Sequence, residues 1–87
     1  MAKIIIPSPF RKYSEGMREV IIESTNLGEG MQELTDRYHG LSKLLDQPAL
    51  LSLFINGTML RIPFNEWNTV SIKDDDEITL IIPIAGG

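Results

Sequence analysis

The side chains of this sequence include few of the groups that enzymes use for catalysis. The 87 residues contain no cysteine and one histidine, so thiol nucleophiles, cysteine-ligated metals and histidine clusters are excluded. His39 stands at a predicted helix end, where exposure is the ordinary outcome, and a catalytic triad would need a serine and an acid beside it. The four acids at 74–77 are typical of a solvated turn, and they lack the alternating ligands and the glycine of a calcium loop. We therefore expect no catalytic side chain, no bound cofactor and no metal.

The segment 83–87, which reads Pro-Ile-Ala-Gly-Gly, carries a different kind of chemistry. It follows an apolar stretch typical of a strand, and Pro83 has no N–H with which to extend that strand. Glycine lacks a Cβ, so Gly86 and Gly87 give a thin and conformationally free backbone. Extended, the segment could span about 16 Å. The sequence thus predicts a folded domain at 1–82 and a flexible tail at 83–87 that takes its α-carboxylate into the tunnel of another enzyme. A frayed terminus of small residues is the alternative.

Composition and charge narrow the classes of partner. Eight basic residues stand against twelve acidic ones, for a formal net charge of −4, whereas a nucleic-acid-binding protein normally has a basic excess. No apolar run is long enough for a membrane span, and no N-terminal signal is visible. We expect a cytoplasmic protein with neither a nucleic-acid nor a membrane partner. The negative charge also suggests complementarity to a basic groove on a partner enzyme.

The elements that must position the tail follow from hydrophobic period and from turn residues. Asn26 is a suitable N-cap, Glu29 follows it by three residues as in a capping box, and Gly40 is suited to end the helix in the left-handed conformation. Asn56-Gly57 predicts a two-residue hairpin with a type I′ turn. Strands are predicted at 2–6, 17–22, 50–56, 58–62 and 78–82, and a helix from residue 27 to a stop at His39-Gly40. A further helical turn is predicted at 41–45, a short extended segment at 70–72, and irregular segments at 7–16 and 63–69.

This order of elements predicts an α+β fold. The helix has one apolar face, so it must lie across one face of a sheet; the residues that recur on this face are Leu27, Met31, Leu34 and Tyr38. The first and last strands are the most apolar, which is expected of central strands. A mixed sheet of four to five strands, with the first and last strands parallel and adjacent, satisfies both conditions. That is the ubiquitin-like β-grasp arrangement.

Strand alternation assigns each residue to one side of the sheet. The residues predicted to face the helix are Ile4, Ile6, Val20, Ile22, Leu51, Leu53, Ile55, Ile78, Leu80 and Ile82. Those predicted to face outward are Ile5, Ile21, Phe54, Thr79 and Ile81. So many apolar residues on the solvent-exposed face of the sheet predict a partner-binding surface. Phe54, Thr79 and Ile81 would be the residues of this surface nearest to the tail. The alternative is that central strands simply tolerate β-branched residues.

Several segments carry a resemblance to a known family. They are Lys3-Ile4-Ile5-Ile6-Pro7, Thr25-Asn26-Leu27 at the helix start, Tyr38-His39-Gly40 at its end, Leu53-Phe54-Ile55-Asn56-Gly57, and Asp74-Asp75-Asp76-Glu77-Ile78 followed by Pro83-Ile84-Ala85-Gly86-Gly87. On these residues the chain resembles, along nearly its whole length, the MoaD/ThiS family of ubiquitin-like sulfur-carrier proteins, and it looks most like the CysO-type carriers within it. Members commonly have a glycine where this sequence has Asp75, so we expect Asp75 to adopt a left-handed φ with some strain.

The resemblance implies that the chain is a protein co-substrate and not an enzyme. The Gly87 carboxylate would be adenylated by an E1-like adenylyltransferase, which uses ATP, and then converted into a thiocarboxylate. Pro83, Ile84, Ala85 and Gly86 would form the tail that leads it into the active site. The thiocarboxylate would donate sulfide to a downstream enzyme, either a cysteine-synthase-like enzyme or a molybdopterin synthase large subunit. The thiazole of thiamine and thiolated transfer RNA are further destinations of the sulfur that stay open.

Two alternatives remain open. The first is a ubiquitin-like modifier that is conjugated to protein lysines through Gly87. The second is a small subunit docked permanently on a molybdopterin-synthase-like enzyme, with Phe54, Ile81 and Ile84 in the docking surface.

Overall fold

The computed structural model describes residues 1–46 and 51–82. The strands and the α-helix are β1 (Ala2–Ile5), β2 (Glu19–Ile22), α1 (Leu27–Arg37), β3 (Ser52–Ile55), β4 (Thr58–Met59) and β5 (Glu77–Ile81). The strands form one sheet in the order β2-β1-β5-β3-β4. The β1–β5 pair is parallel, and the other three pairs are antiparallel. The predicted parallel central pair and the ubiquitin-like β-grasp arrangement are therefore confirmed, with five strands.

The side of the sheet that faces α1 supplies most of the core, as the alternation predicts. Ile4, Ile22 and Ile78 are fully buried. The other inward strand residues that are buried are Ile6, Val20, Leu51, Leu53 and Leu80. Ile55 and Ile82 are partly buried and pack against the same core. The inward set is confirmed because a strand with one covered face must bury every second side chain.

Helix α1 begins where the sequence predicts it. The Asn26 side-chain oxygen accepts a hydrogen bond from the Glu29 backbone N–H at 2.8 Å, which satisfies one of the free donors of the first turn. Leu27, Met31 and Leu34 are buried against the sheet. A Cβ on Gly30 would lie 2.8 Å from the Cδ1 atom of Ile22 in β2. The glycine thus permits the close approach of this turn to the sheet.

The end of α1 differs from the prediction. Gly40 does not adopt a positive φ and does not end the helix in the left-handed conformation. The chain continues directly into a 3-10 helix at His39–Leu45, whose Leu41 and Leu44 side chains are buried. A Cβ on Gly40 would lie 2.7 Å from the Cδ1 atom of Tyr13, so close packing explains this glycine. The predicted exposure of His39 is confirmed.

Two segments predicted as irregular are 3-10 helices, at Ser8–Ser14 and Phe64–Thr69. In the second, Trp67 is buried, its indole N–H donates to the Ile62 carbonyl at 3.0 Å, and its ring meets that of Phe64 edge-on. Sequence periodicity missed both helices because six or seven residues are too few to show a face. The predicted fourth strand is also shorter than expected and ends at Met59.

The predicted backbone conformation is found in the turn at Asn56-Gly57 but not in the turn at Asp75. Asn56 and Gly57 have φ values of 52° and 84°, which confirms the predicted turn with positive φ at both central residues. Asp75, in contrast, does not adopt a positive φ, so the strain expected there is absent. The turn is closed instead by the Asp76 carboxylate, which accepts from the Lys73 backbone N–H at 2.8 Å.

Candidate functional site

Strand β5 carries the chain to the predicted tail from the centre of the sheet. It lies between β1 and β3, with Thr79 in register with Ile5 on one side and with Phe54 on the other. After β5, Ile82 packs against the core. The β5 backbone is therefore paired with β1 as far as Thr79 and with β3 as far as Ile81.

The predicted tail lies outside the described residues. This applies to Pro83, Ile84, Ala85, Gly86 and Gly87, and to the boundary drawn at 82 between the folded domain and the tail. Their assignment as the reactive segment stays a prediction.

The three predicted partner-binding residues lie together on the outer face, by which we mean the sheet surface opposite α1. Phe54 and Thr79 are directly opposite each other and both are half-buried. Ile81 is opposite Ser52 at the end of β5 and is 46% exposed. The outward assignment of Ile5 and Ile21 is confirmed as well, with Ile21 44% exposed. The sequence therefore placed these side chains on the correct face.

Met59 is an outer-face residue that the sequence analysis missed. It pairs with Phe54 across the β3–β4 hairpin and is 42% exposed. Phe54, Met59 and Ile81 thus form an apolar row that runs from β5 toward the sheet edge. The signal was available, because a two-residue type I′ turn at Asn56-Gly57 sets Ile55 opposite Thr58 and hence Phe54 opposite Met59.

Charged side chains from β1, β2 and β5 lie next to the apolar row on the outer face. Lys3 lies in β1 with its ammonium group 3.7 Å from a carboxylate oxygen of Glu19 and 3.5 Å from one of Glu77. All three groups are partly exposed, so these pairs contribute little stability. They place a group of charged side chains beside the apolar row, on the part of the outer face that is nearest to β1.

The acidic run at 74–77 forms the turn that leads into β5. The backbone N–H of Lys73 and the side-chain amide of Asn56 both donate to the Asp76 carboxylate, and these hydrogen bonds lower the pKa of Asp76 below its ordinary value. The Asn56 side-chain oxygen accepts in turn from the Glu77 backbone N–H. The run therefore joins two turns, in agreement with its interpretation as a solvated turn.

Within residues 1–46 and 51–82, no helix is long and apolar enough to cross a membrane.

The ThiS family model matches residues 4–87, which includes nearly all of the chain and the whole predicted tail. The chain belongs to the ThiS family. Two curated relatives, the proteins named sulfur carrier protein CysO from Mycobacterium tuberculosis and Mycobacterium bovis, are each 25% identical to this ThiS-family chain over 91 residues. Those alignments cover 97% of this chain and 96% of each relative.

Solved structures show that the ThiS-family fold described above is shared. A crystal structure of the Amycolatopsis orientalis BexX/CysO complex includes a chain with a TM-score of 0.82 and 21% identity, matched over 100% of both chains. The solution structure of small archaeal modifier protein 1 from Methanosarcina acetivorans gives a TM-score of 0.77 at 24% identity, covering 99% of this chain and 95% of that one. At such identities the likeness establishes the β-grasp fold.

Proposed function

We propose that this protein is a sulfur carrier whose Gly87 carboxylate is activated by an E1-like adenylyltransferase and converted into a thiocarboxylate. The observation that carries the proposal is the match of the ThiS family model through residue 87. Central strand β5 leads directly into the Pro-Ile-Ala-Gly-Gly segment that this match includes. The relatives named sulfur carrier protein CysO support the same function.

The chemistry needs an activated carboxylate, because a carboxylate is itself a poor acyl donor. A carboxylate oxygen of Gly87 attacks the α-phosphorus of ATP, and pyrophosphate leaves. The product is an acyl-adenylate, a mixed anhydride. A sulfide nucleophile then attacks the acyl carbon, AMP leaves, and the terminus becomes a thiocarboxylate. The reactive atoms of this chain are those of its own backbone terminus, which is consistent with a sequence that contains no cysteine.

The folded part would hold and present that terminus. Strand β5 is paired with β1 as far as Thr79 and with β3 as far as Ile81, so the strand that leads to the tail has a fixed position relative to the outer face. The apolar row of Phe54, Met59 and Ile81 lies close to that point, and it would seat the carrier on an enzyme while the tail enters the active site. Exposed apolar side chains that cluster in this way are typical of protein interfaces.

The names of the curated relatives suggest which enzyme accepts the sulfur. Since the curated relatives carry the name CysO, we propose a cysteine-synthase-like acceptor, with a molybdopterin synthase large subunit as the other candidate. The carrier would act in the cytoplasm and bind no cofactor of its own, because ATP belongs to the activating enzyme. The alternatives of a lysine-conjugated modifier and of a docked subunit share the fold and the apolar row, and they differ in the fate of the terminus.

The decisive experiment follows the mass of the intact protein. The chain ending at Gly87 is incubated with an E1-like adenylyltransferase, ATP and sulfide, and mass spectrometry should show the replacement of one oxygen by one sulfur. A chain that lacks Gly87 and a chain with one residue added after it should remain unmodified, although both should unfold at the wild-type temperature because both keep every core residue named above.

Two results would contradict the proposal. One is an unmodified terminus with an enzyme that converts another carrier under the same conditions. The other is the appearance of Gly-Gly remnants on lysines of cellular proteins without any thiocarboxylate, which would indicate a modifier instead.

A further inference from the structure

The topology brings several chain segments to the sheet edge from which β5 ends. We call this the tail edge: it comprises the C-terminal ends of β1 and β5 and the N-terminal ends of β2 and β3. The register defines it, because Ile5 pairs with both Glu19 and Thr79, and Ile81 pairs with Ser52. Residues that directly precede β2 or follow β1 and β4 therefore lie next to the start of the predicted tail.

Arginines occupy this edge on both sides of β5. On the β1–β2 side, the Arg11 Nε–H donates to the Ile6 carbonyl at 3.1 Å. Arg18 is on the same side, since its carbonyl accepts from the Ile6 N–H at 2.8 Å, and its side chain is exposed. On the β3–β4 side, the Leu60 N–H donates to the Leu53 carbonyl, which sets the exposed Arg61 beside the start of β3.

Two lysines extend the cationic surface around the Ser8–Ser14 helix. The ammonium group of Lys43 donates to the Tyr13 hydroxyl at 3.2 Å and lies 4.6 Å from the centre of its ring. The ammonium group of Lys12 lies 5.2 Å from the same ring. Both lysines are exposed, and the tyrosine holds their charges on one side of the helix.

Within residues 1–46 and 51–82, no carboxylate forms an ion pair with these cations. The ion pairs found among the described residues use the Met1 amine, Lys3 and Arg37 as their cations. Of the carboxylates near the tail edge, Glu19 is taken by Lys3, and Glu15 stands at the end of the Ser8–Ser14 helix. The main acidic run, at 74–77, lies at the opposite end of β5.

The chain is therefore acidic overall but cationic where its tail begins. We infer that the tail edge docks on an acidic protein surface around the tail tunnel of the activating enzyme. This inference rests on the proposed function and reverses the partner charge that the net charge suggested, because the surface nearest the tunnel decides the contact. Guanidinium groups suit such a contact, since each can bind a carboxylate through two parallel hydrogen bonds.

The test measures the affinity of the unmodified carrier for the adenylyltransferase by isothermal titration calorimetry. Arg18→Glu, Arg61→Glu and the double variant reverse charge at exposed positions of the tail edge. Lys73→Glu, at the opposite edge, is the control and makes the same change in net charge as either single variant. Each surface pair contributes little alone, but a reversal also adds repulsion, so the double variant should raise Kd about tenfold. Lys73→Glu should leave Kd within twofold of the wild type, on the order expected for a distant exposed charge.

The outcomes separate the two proposals. A wild-type chain that binds the enzyme but is never adenylated contradicts the proposed function. A double variant that binds as tightly as Lys73→Glu, or more tightly than the wild type, overturns the docking inference. Higher salt should weaken wild-type binding more than binding of the double variant.

Discussion

A single carboxylate, that of Glu33, connects α1 to the end of β2. One of its oxygens accepts from the Ser24 hydroxyl at 2.8 Å, from the Ser24 N–H at 3.1 Å and from the Glu23 N–H at 3.0 Å. The other lies 3.0 Å from Nη2 of Arg37, whose Nη1 donates to the Ile21 carbonyl at 2.9 Å. The change Glu33→Gln keeps the shape of the side chain but places an amide N–H₂ group against these donors.

The cost can be estimated from the contacts. The Glu33 side chain is 23% exposed, so solvent screens it only in part. Loss of the helical ion pair contributes about 0.4 kcal/mol. Loss of charge from the hydrogen bonds to Glu23 and Ser24 contributes about 1 kcal/mol more. We expect the free energy of unfolding to fall by about 1.5 kcal/mol, which corresponds to a decrease of roughly 6–12 °C in Tm for a domain of this size.

The effect should depend on pH. Burial alone would raise the pKa of Glu33, but the hydrogen bonds from Ser24 and Glu23, together with the charge of Arg37, outweigh it and lower the pKa below the ordinary value of 4.5. The folded state therefore favours the ionised form. The advantage of the wild type over Glu33→Gln should be complete above that ordinary value and should disappear as the pH falls through the lowered pKa.

Urea unfolding at neutral and at acidic pH measures both effects. Glu23→Gln is the matched control, because it removes a neighbouring exposed carboxylate and leaves the backbone N–H of residue 23 in place. The control should unfold like the wild type at both pH values. Equal stability of Glu33→Gln and Glu23→Gln at neutral pH would refute the proposed link. A difference between wild type and Glu33→Gln that persists unchanged in acid would refute its electrostatic origin.

The remaining predictions concern the outer face and one glycine. Phe54→Asp should raise the KM of the activating enzyme for the carrier about tenfold, as expected for an aromatic interface residue, and should lower the free energy of unfolding by about 1 kcal/mol. Ile21→Asp, on the same face but far from the tail, should leave KM unchanged, and equal effects of the two would contradict the docking role. Gly40→Ala should lower the free energy of unfolding by about 1 kcal/mol, since the added methyl overlaps the Tyr13 ring. If Gly40→Ala were as stable as the wild type in urea, the Tyr13 ring would move aside without cost, which would contradict this reasoning.

The features that local sequence predicted correctly are those that depend on neighbouring residues. The Asn26 cap needs only an acceptor side chain and a free N–H three residues on, and the turn at Asn56-Gly57 needs only two residues that tolerate positive φ. The assignment of strand faces needs only alternation. Each of these is a short-range constraint that the tertiary structure had no reason to override.

The errors arose where a residue's role depends on a distant segment. Gly40 was expected to provide a left-handed φ, but it makes room for Tyr13, which is far away in the sequence. Asp75 was expected to be strained, but the turn is closed without a positive φ by the Asp76 carboxylate, which also accepts a hydrogen bond from Asn56 in the distant β3–β4 turn. The sequence did not predict the burial of Trp67, because this burial depends on the packing of the Phe64–Thr69 helix against α1.

The sequence by itself led to the proposal that the Ala-Gly-Gly segment carries the chemistry, since it contains no cysteine and a single histidine. It also determined the order of the elements and the sides of each strand. Only the tertiary structure decided where charge lies relative to the end of β5. Because β1 and β5 are parallel, residues that follow β1 lie at the same sheet edge as the end of β5, with Arg11 and Arg18 on one side of β5 and Arg61 on the other. A net charge sums over the whole chain, whereas a partner encounters one surface.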